Sequence, residues 1–155
     1  MNERQTQIAL EFIEESNRIE GINRAPTKAE VVEFGRFMEL TVVTLDDLLK
    51  FVSVYQPNAV LRDRWGLDVR VGRYFPPKGG VEIREANTLL LDKLNEGRTS
   101  AYEIHISYES LHPFTDCNGR SGRMLWAWQV GWDGLGLGFL HKWYYMSLEF
   151  KRIFV

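Results

Sequence analysis

The residues best suited to chemistry lie between His112 and Arg123, in the order His-Pro-Phe-Thr-Asp-Cys-Asn-Gly-Arg-Ser-Gly-Arg. Pro113 disfavours the α conformation in the residue before it, so we expect a helix to end at His112 and to present its imidazole at a loop. A neutral imidazole in that position can accept a proton from a hydroxyl group. Asp116, in the same loop, carries a carboxylate of the kind that binds Mg²⁺ together with phosphates.

A second helix is predicted to begin at Asn118 and Gly119, directly after this loop. The first backbone N–H groups of a helix have no partner within the helix, which makes such an end a binding site for anions. Arg120 and Arg123 are three residues apart and therefore lie on one face of that helix. Taken singly, a histidine before proline is usually a loop residue, and two arginines are usually a solvated surface. Together these residues suit a polyphosphate with a magnesium ion and a hydroxyl awaiting deprotonation.

The twelve residues resemble the signature of the Fic family, His-Pro-Phe-x-(Asp/Glu)-Gly-Asn-Gly-Arg-x-x-Arg, and match eight of its nine typed positions. The resemblance implies an all-α, compact Fic-type helical domain that acts as a protein adenylyltransferase. Such an enzyme moves AMP from Mg·ATP to a hydroxyl side chain of a target protein. Gly119 favours AMP transfer over the kinase-like relatives, whose loop carries lysine at that position. The resemblance thus makes ATP the substrate, Mg²⁺ the cofactor and an unidentified target protein the partner.

The resemblance also implies a role for each matching residue. His112 is the expected general base, and Asp116 is the expected ligand of the magnesium that bridges the α- and β-phosphates. Phe114 is expected to anchor the loop in the core. The expected nucleotide contacts are Asn118 and Gly119 in the phosphate cradle, Arg120 at the β-phosphate and Arg123 at the γ-phosphate.

Cys117 departs from the signature, which usually has glycine there. Glycine tolerates a positive φ angle and a close approach of backbone, and cysteine tolerates them less well. A cysteine at a helix N-terminus is also a conceivable nucleophile, although the implied reaction needs no covalent intermediate. Two alternatives therefore stay open. One is a Fic relative that removes AMP or transfers another phosphate-bearing group, and the other is a binding or regulatory module that has lost its chemistry.

The N-terminal helix carries a second motif. Its apolar face, an arc of about 140°, contains Ile8, Phe12, Ile13, Ser16, Ile19 and Glu20. A carboxylate on such a face needs a cation or hydrogen-bond donors. Residues 16–21 also match Ser/Thr-x-x-x-Glu-Gly, the inhibitory motif of many Fic proteins, in which Ser16, Glu20 and Gly21 are the typed residues. The resemblance implies that Glu20 pairs with Arg123 and so occupies the guanidinium that the γ-phosphate would need.

A β-hairpin is predicted over 68–84. Val69 and Val71 alternate with charged residues, as do Val81 and Ile83, and prolines and glycines lie between the two pairs. This hairpin resembles the flap of the family, whose exposed edge would hold a target segment by main-chain pairing. The flap residues expected to cover the nucleotide are Tyr74, Phe75 and Pro76. An ordinary surface hairpin would have the same sequence pattern.

Helical periodicity and capping residues predict six to seven helices in a single domain over 1–155. The inhibitory helix lies within 1–22, and the catalytic loop and helix start lie within 112–123. The first predicted helix covers 3–19, the second is capped by Thr27 and Glu30, and the third is capped by Thr44 and followed by Pro57. The fourth carries Leu90, Leu91 and Leu94 and ends near Gly97, and the fifth is capped by Ser100 and Glu103. The sixth runs from 118 to 131 and the seventh from 139 to 154.

Composition narrows the class of protein. The 155 residues include 19 Lys and Arg against 21 Asp and Glu, a formal net charge of −2, so we expect no nucleic-acid binding driven by bulk charge. No run of 18 apolar residues is present, so we expect no membrane span. The single cysteine excludes an internal disulfide and fits a cytoplasmic protein.

Overall fold

The computed structural model describes residues 1–136, and in this part of the chain the secondary structure is helical. The helices are α1 (Glu3–Ile19), α2 (Lys28–Met38), α3 (Leu45–Tyr55), α4 (Val81–Glu96), α5 (Ala101–Leu111) and α6 (Asn118–Gly136). The predicted all-α class is confirmed. The seventh predicted helix, over 139–154, lies outside the described residues. No helix within residues 1–136 is long and apolar enough to cross a membrane.

Local side-chain bonds explain where most of these helices begin. In α2, α3 and α5 the N-cap residues Thr27, Thr44 and Ser100 each accept a hydrogen bond from the third helical N–H, and the third side chain bonds back to the cap. Such caps satisfy backbone donors that the helix cannot, and each stabilises by about 1 kcal/mol. These three predicted starts are confirmed. Asn2 caps α1 in the same way, through a capping box with Gln5.

The predicted hairpin over 68–84 is wrong in its second strand, because α4 begins at Val81. In a strand Val81 and Ile83 would share one face. Instead Val81 is 57% exposed and Ile83 is 1% exposed. The buried positions of α4 recur at helical spacing and are Ile83, Asn87, Leu90, Leu91 and Leu94. Two alternating apolar residues were too short a pattern to separate a strand from the first turn of a helix.

The structure has a tight turn in place of the predicted hairpin. Val71 and Tyr74 exchange both backbone hydrogen bonds, at 3.0 and 2.9 Å. Gly72 lies between them with φ 58°, a conformation that glycine adopts at no steric cost. The flap segment is therefore a turn with irregular arms that runs directly into α4.

Helix α6 is central to the packing, since it contacts α1, α2, α3 and α5. Its residues Met124, Leu125 and Ala127 are fully buried. Around it lies an aromatic cluster in which Phe51 stacks on Tyr55 and Phe12 packs against Phe34. The predicted end of this helix near residue 131 corresponds to a kink at Gly131, which has φ 70° and ψ 175°. This packing brings the C-terminal ends of α1 and α3 to the N-terminal turn of α6.

Candidate functional site

The loop between α5 and α6 begins at His112, as predicted. Its backbone N–H caps α5 by donating to the Tyr108 carbonyl at 2.8 Å. The residue takes the left-handed conformation, with φ 50° and ψ 60°, rather than the extended one that is usual before proline. Within residues 1–136, His112 and Cys117 are the non-glycine residues with positive φ. Backbone strain is therefore concentrated in this loop, which is typical of functional sites.

Arg62 holds His112 in place, and no sequence pattern pointed to it. Its side chain is fully buried, and its Nε donates to the His112 carbonyl at 2.7 Å. The Nη atoms donate to three further carbonyls, those of Leu111 at 2.9 Å, Pro77 at 2.9 Å and Leu67 at 3.1 Å. Burial lowers the pKa of this guanidinium. One cation thus joins the end of α5 to both arms of the flap segment.

A short antiparallel contact fixes the same loop from outside. Leu61 and Phe114 form an isolated β-bridge. The Arg62 N–H donates to Pro113 O at 2.8 Å, and the Thr115 N–H donates to Val60 O at 2.9 Å. Phe114 is fully buried, in agreement with its expected role as a core anchor. The loop is therefore paired on both sides of Phe114.

Asn118 braces the loop internally. Its amide Nδ2 donates to Phe114 O at 2.8 Å, and its Oδ1 accepts from Phe114 N at 2.9 Å. The side chain is thus committed to the loop backbone, so a phosphate contact by Asn118 would use its main-chain N–H. Neighbouring Gly119 is in the first turn of α6, where backbone N–H groups lack intrahelical partners.

Cys117 takes the conformation that glycine would take. Its φ is 70°, and its N–H donates to Asp116 Oδ1 at 2.6 Å. The side chain is buried, and burial raises the pKa of the thiol to about 12. Because a protonated thiol is a poor nucleophile, a covalent role for Cys117 at neutral pH is disfavoured. The loop keeps its turn despite the missing glycine.

The predicted pair of Glu20 and Arg123 is present. Arg123 Nη2 lies 2.6 Å from Glu20 Oε1 and 3.0 Å from Ser16 O, and Arg123 Nε donates to Ser16 Oγ at 2.8 Å. The guanidinium side chain is 6% exposed and the Glu20 side chain 37%. A Cβ added to Gly119 would clash with the Glu20 carboxylate. Glu20 therefore lies directly against the first turn of α6.

The Arg120 side chain binds the C-terminal end of α3 and not the residues that bind Arg123. Its Nη1 donates to Tyr55 O at 3.0 Å and its Nη2 to Gln56 Oε1 at 3.2 Å, and the residue is buried. The two arginine head groups thus bind different partners, although both residues belong to one turn of α6. Arg120 satisfies a carbonyl at the C-terminal end of α3, where helices leave carbonyls unpaired. Its contact with a β-phosphate stays a prediction.

Asp116 is exposed beside the N-terminus of α6. No group of three or more His, Cys, Asp or Glu side chains suited to a metal occurs among residues 1–136. Mg²⁺ is commonly bound by one or two carboxylates, with phosphate oxygens and waters as the other ligands. A single exposed carboxylate next to an anion-binding helix end fits that mode and does not fit an all-protein metal cage.

The predicted flap residues lie beside the end of α5. The Tyr74 hydroxyl donates to Ser110 O at 2.8 Å. Phe75 is 69% exposed, and its ring centroid is 5.2 Å from the Arg70 guanidinium carbon. Pro76 is buried. Of these residues, Tyr74 is the one with a hydrogen bond to the last turn of α5, at Ser110, two residues before His112.

Comparison with known proteins finds no family model that matches this chain and no curated protein with a significant sequence match. The resemblance to Fic proteins therefore rests on the motif residues alone.

Proposed function

We propose that this chain is a Fic-type adenylyltransferase, which moves AMP from Mg·ATP to a hydroxyl side chain of a target protein and is autoinhibited by Glu20. The observation that carries the proposal is the ion pair between Glu20 and Arg123. These residues are 103 positions apart, and both belong to motifs of the same implied family. Two short motifs matched by chance would have no reason to meet in the fold.

The arrangement around the loop supports an anion site next to a base. The N-terminal turn of α6 supplies backbone N–H groups, and Arg123 supplies a permanent cation at the same end. A carboxylate, that of Glu20, already lies there, so the position accepts negative charge. His112 opens the loop, four residues before Asp116.

Each side chain has a distinct part in the proposed reaction. His112 takes the proton from the target hydroxyl, whose oxygen attacks the α-phosphorus as pyrophosphate leaves. The turn of α6 and Arg123 bind the phosphates and hold them in line for that attack. Asp116 would hold the Mg²⁺, which supplies charge neutralisation on the phosphates when bound. Buried Arg62, Phe114 and Asn118 keep the loop in place.

Glu20 restrains this reaction by competing with the nucleotide. Its carboxylate occupies the guanidinium and the space above Gly119, so a γ-phosphate at Arg123 would meet a negative charge. ATP could then bind only with its phosphates displaced from the attack geometry. Removal of the Glu20 side chain frees both the cation and the space.

The test is labelling with radioactive ATP by Glu20→Gly, wild type and the double variant Glu20→Gly/His112→Ala. We expect Glu20→Gly to exceed wild type by at least about tenfold, equivalent to about 1.4 kcal/mol at the barrier. The label should come from α-labelled and not from γ-labelled ATP, and the double variant should lose it by roughly 100-fold. Equal labelling by wild type and Glu20→Gly would contradict the inhibition.

Other outcomes would identify the alternatives. Label from γ-labelled ATP would mean phosphoryl transfer. Loss of an AMP-removing activity in Glu20→Gly would make Glu20 the base that activates water for hydrolysis of the AMP–protein bond. Binding of ATP with no turnover in either protein would leave a binding module.

A further inference from the structure

A carboxylate lies between two histidines on α5, and the proposed mechanism has so far not used it. Glu109 is four residues after His105 and three before His112, so all three side chains share one helical face. Glu109 Oε1 is 3.6 Å from His105 Nε2, and Glu109 Oε2 is 3.9 Å from His112 Nδ1. Each oxygen of one carboxylate thus faces a different imidazole.

Helix α6 covers this trio closely. His105 is 1% exposed, and the side chains of Glu109 and His112 are each 16% exposed. A Cβ added to Gly122 would be 2.9 Å from Glu109 Oε1 and 3.1 Å from His105 Cε1. Since real Cβ atoms essentially never approach below 3.0 Å, α6 leaves room for the carboxylate because residue 122 is glycine. Gly122 therefore leaves the space that the Glu109 carboxylate occupies.

The imidazole of His112 faces oxygen atoms on one side. Its Nδ1 is 3.4 Å from the backbone carbonyl of Glu109 and 3.9 Å from Oε2 of the same residue. A carbonyl and a carboxylate accept hydrogen bonds and cannot donate them. In a neutral imidazole one nitrogen carries the proton and the other accepts, and the partner of one nitrogen decides the tautomer. Two acceptors beside Nδ1 favour the tautomer that carries the proton on that nitrogen.

We propose that Glu109 is a positioning residue for His112, which keeps the proton on Nδ1 and leaves Nε2 to accept one from a target hydroxyl. This inference rests on the proposed role of His112 as the base. His105 Nε2 lies 3.6 Å from the other oxygen of the carboxylate, so the carboxylate lies between the two imidazoles. Among the described residues near the pair, Arg62 binds the His112 carbonyl, and the Tyr108 hydroxyl forms a hydrogen bond with Ser121 of α6.

The test that is independent of catalysis is a long-range proton–nitrogen NMR spectrum of ¹⁵N-histidine-labelled protein. His112→Ala assigns the His112 signals. In wild type at high pH we expect the tautomer protonated at Nδ1 to dominate. In Glu109→Gln we expect a mixture of tautomers and a His112 pKa lower by roughly half a unit or more, because a negative charge that favours imidazolium has gone. Glu85→Gln, which removes an exposed carboxylate on α4, is the matched control and should leave both quantities unchanged.

Unchanged His112 tautomer populations and pKa in folded Glu109→Gln would overturn the proposal. If Glu109→Gln does not fold, Glu109→Asp takes its place, since it keeps the charge but withdraws it from the ring and should weaken the preference for Nδ1. In the Glu20→Gly background, Glu109→Gln should lower kcat by roughly tenfold and leave the KM for ATP within about twofold. If that background shows no transfer at all, the proposed function fails while the NMR result still decides the position of the proton.

Discussion

At the scale of single residues, Cys117 combines a left-handed backbone with a buried side chain. A residue with a Cβ in this conformation carries a steric cost of about 1–2 kcal/mol. Its N–H bond to Asp116 and the turn of α6 that follows hold it there. The cost is therefore met by the surrounding contacts, and it marks a position where glycine is the least strained residue.

A pair of variants isolates this cost. Cys117→Gly and Cys117→Ala both delete the sulfur, but alanine keeps the Cβ that causes the strain. Glycine also gains entropy in the unfolded chain, which offsets part of the relief. We expect Cys117→Gly to be more stable than Cys117→Ala by roughly 0.5–1 kcal/mol. Urea unfolding of both variants, followed by circular dichroism, measures the difference. Equal stability would mean that the loop relaxes away from positive φ.

At the scale of elements, the last turn of α1 is fastened to α2 by a buried carboxylate. Glu30 accepts from Asn17 Nδ2 at 3.2 Å, from Thr27 N at 2.7 Å and from both Nη atoms of Arg24 at 2.8 and 2.9 Å. The contact with Asn17 lies next to Ser16, which itself binds Arg123. Helix α1, which ends one residue before Glu20, is thus held from α2 as well as from α6.

The hydrogen bonds to the Glu30 carboxylate predict that the free energy of unfolding decreases at acid pH. Burial opposes ionisation of Glu30, but hydrogen bonds from Arg24, Thr27 and Asn17 outweigh it and lower the pKa from 4.5 to about 2. A depressed pKa contributes stability that is present above pH 4.5 and is lost as the pH falls towards 2. We expect Glu30→Gln to be less stable than wild type at pH 7 by about 2 kcal/mol, with the gap closing at acid pH.

Denaturant unfolding at a series of pH values between neutral and acid measures this gap. Glu39→Gln is the matched control, because it removes an exposed carboxylate at the end of the same helix. Its stability should follow that of wild type at every pH. If the difference in free energy of unfolding between wild type and Glu30→Gln stays constant down to pH 3, the ionised Glu30 carboxylate does not stabilise the fold.

At the scale of the whole molecule, the proposed function couples the N-terminal helix to nucleotide binding. Under this proposal Glu20 and ATP would compete for Arg123, so each would lower the apparent affinity of the other. A ligand that binds only the folded state raises its stability by an amount that grows with affinity. Thermal unfolding with Mg·ATP therefore reports the competition without any need for a target protein.

We expect Mg·ATP to raise the Tm of Glu20→Gly more than that of wild type. Arg123→Ala also breaks the ion pair, yet it should show a smaller rise than Glu20→Gly, because it removes the phosphate ligand as well. In the labelling assay Arg123→Ala should not be activated. Equal ATP-induced shifts in wild type and Glu20→Gly, or activation of Arg123→Ala, would contradict the competition.

Much of the local structure could be predicted because it depends on residues close in sequence. The capping boxes at Thr27 and Ser100 join residues that are three positions apart in the sequence. The end of α5 depends on Pro113, which directly follows His112. The start of α4 was missed because two apolar residues fit both a strand and a helix. The pairing of Glu20 with Arg123 came from two motifs and not from periodicity, and the structure brings the pair together.

The sequence by itself determined the capped starts of α2, α3 and α5 and the order of reactive residues in the loop, since these depend on backbone sterics and short-range hydrogen bonds. Tertiary structure alone decided which carbonyls Arg62 binds, that Arg120 turns to the end of α3, and that Glu109 faces His112 beneath Gly122. A long side chain reaches any of several partners, and its choice is set by packing between elements that are far apart in the chain. The sequence therefore defines which chemical groups are present, and tertiary packing decides which partner each long side chain binds.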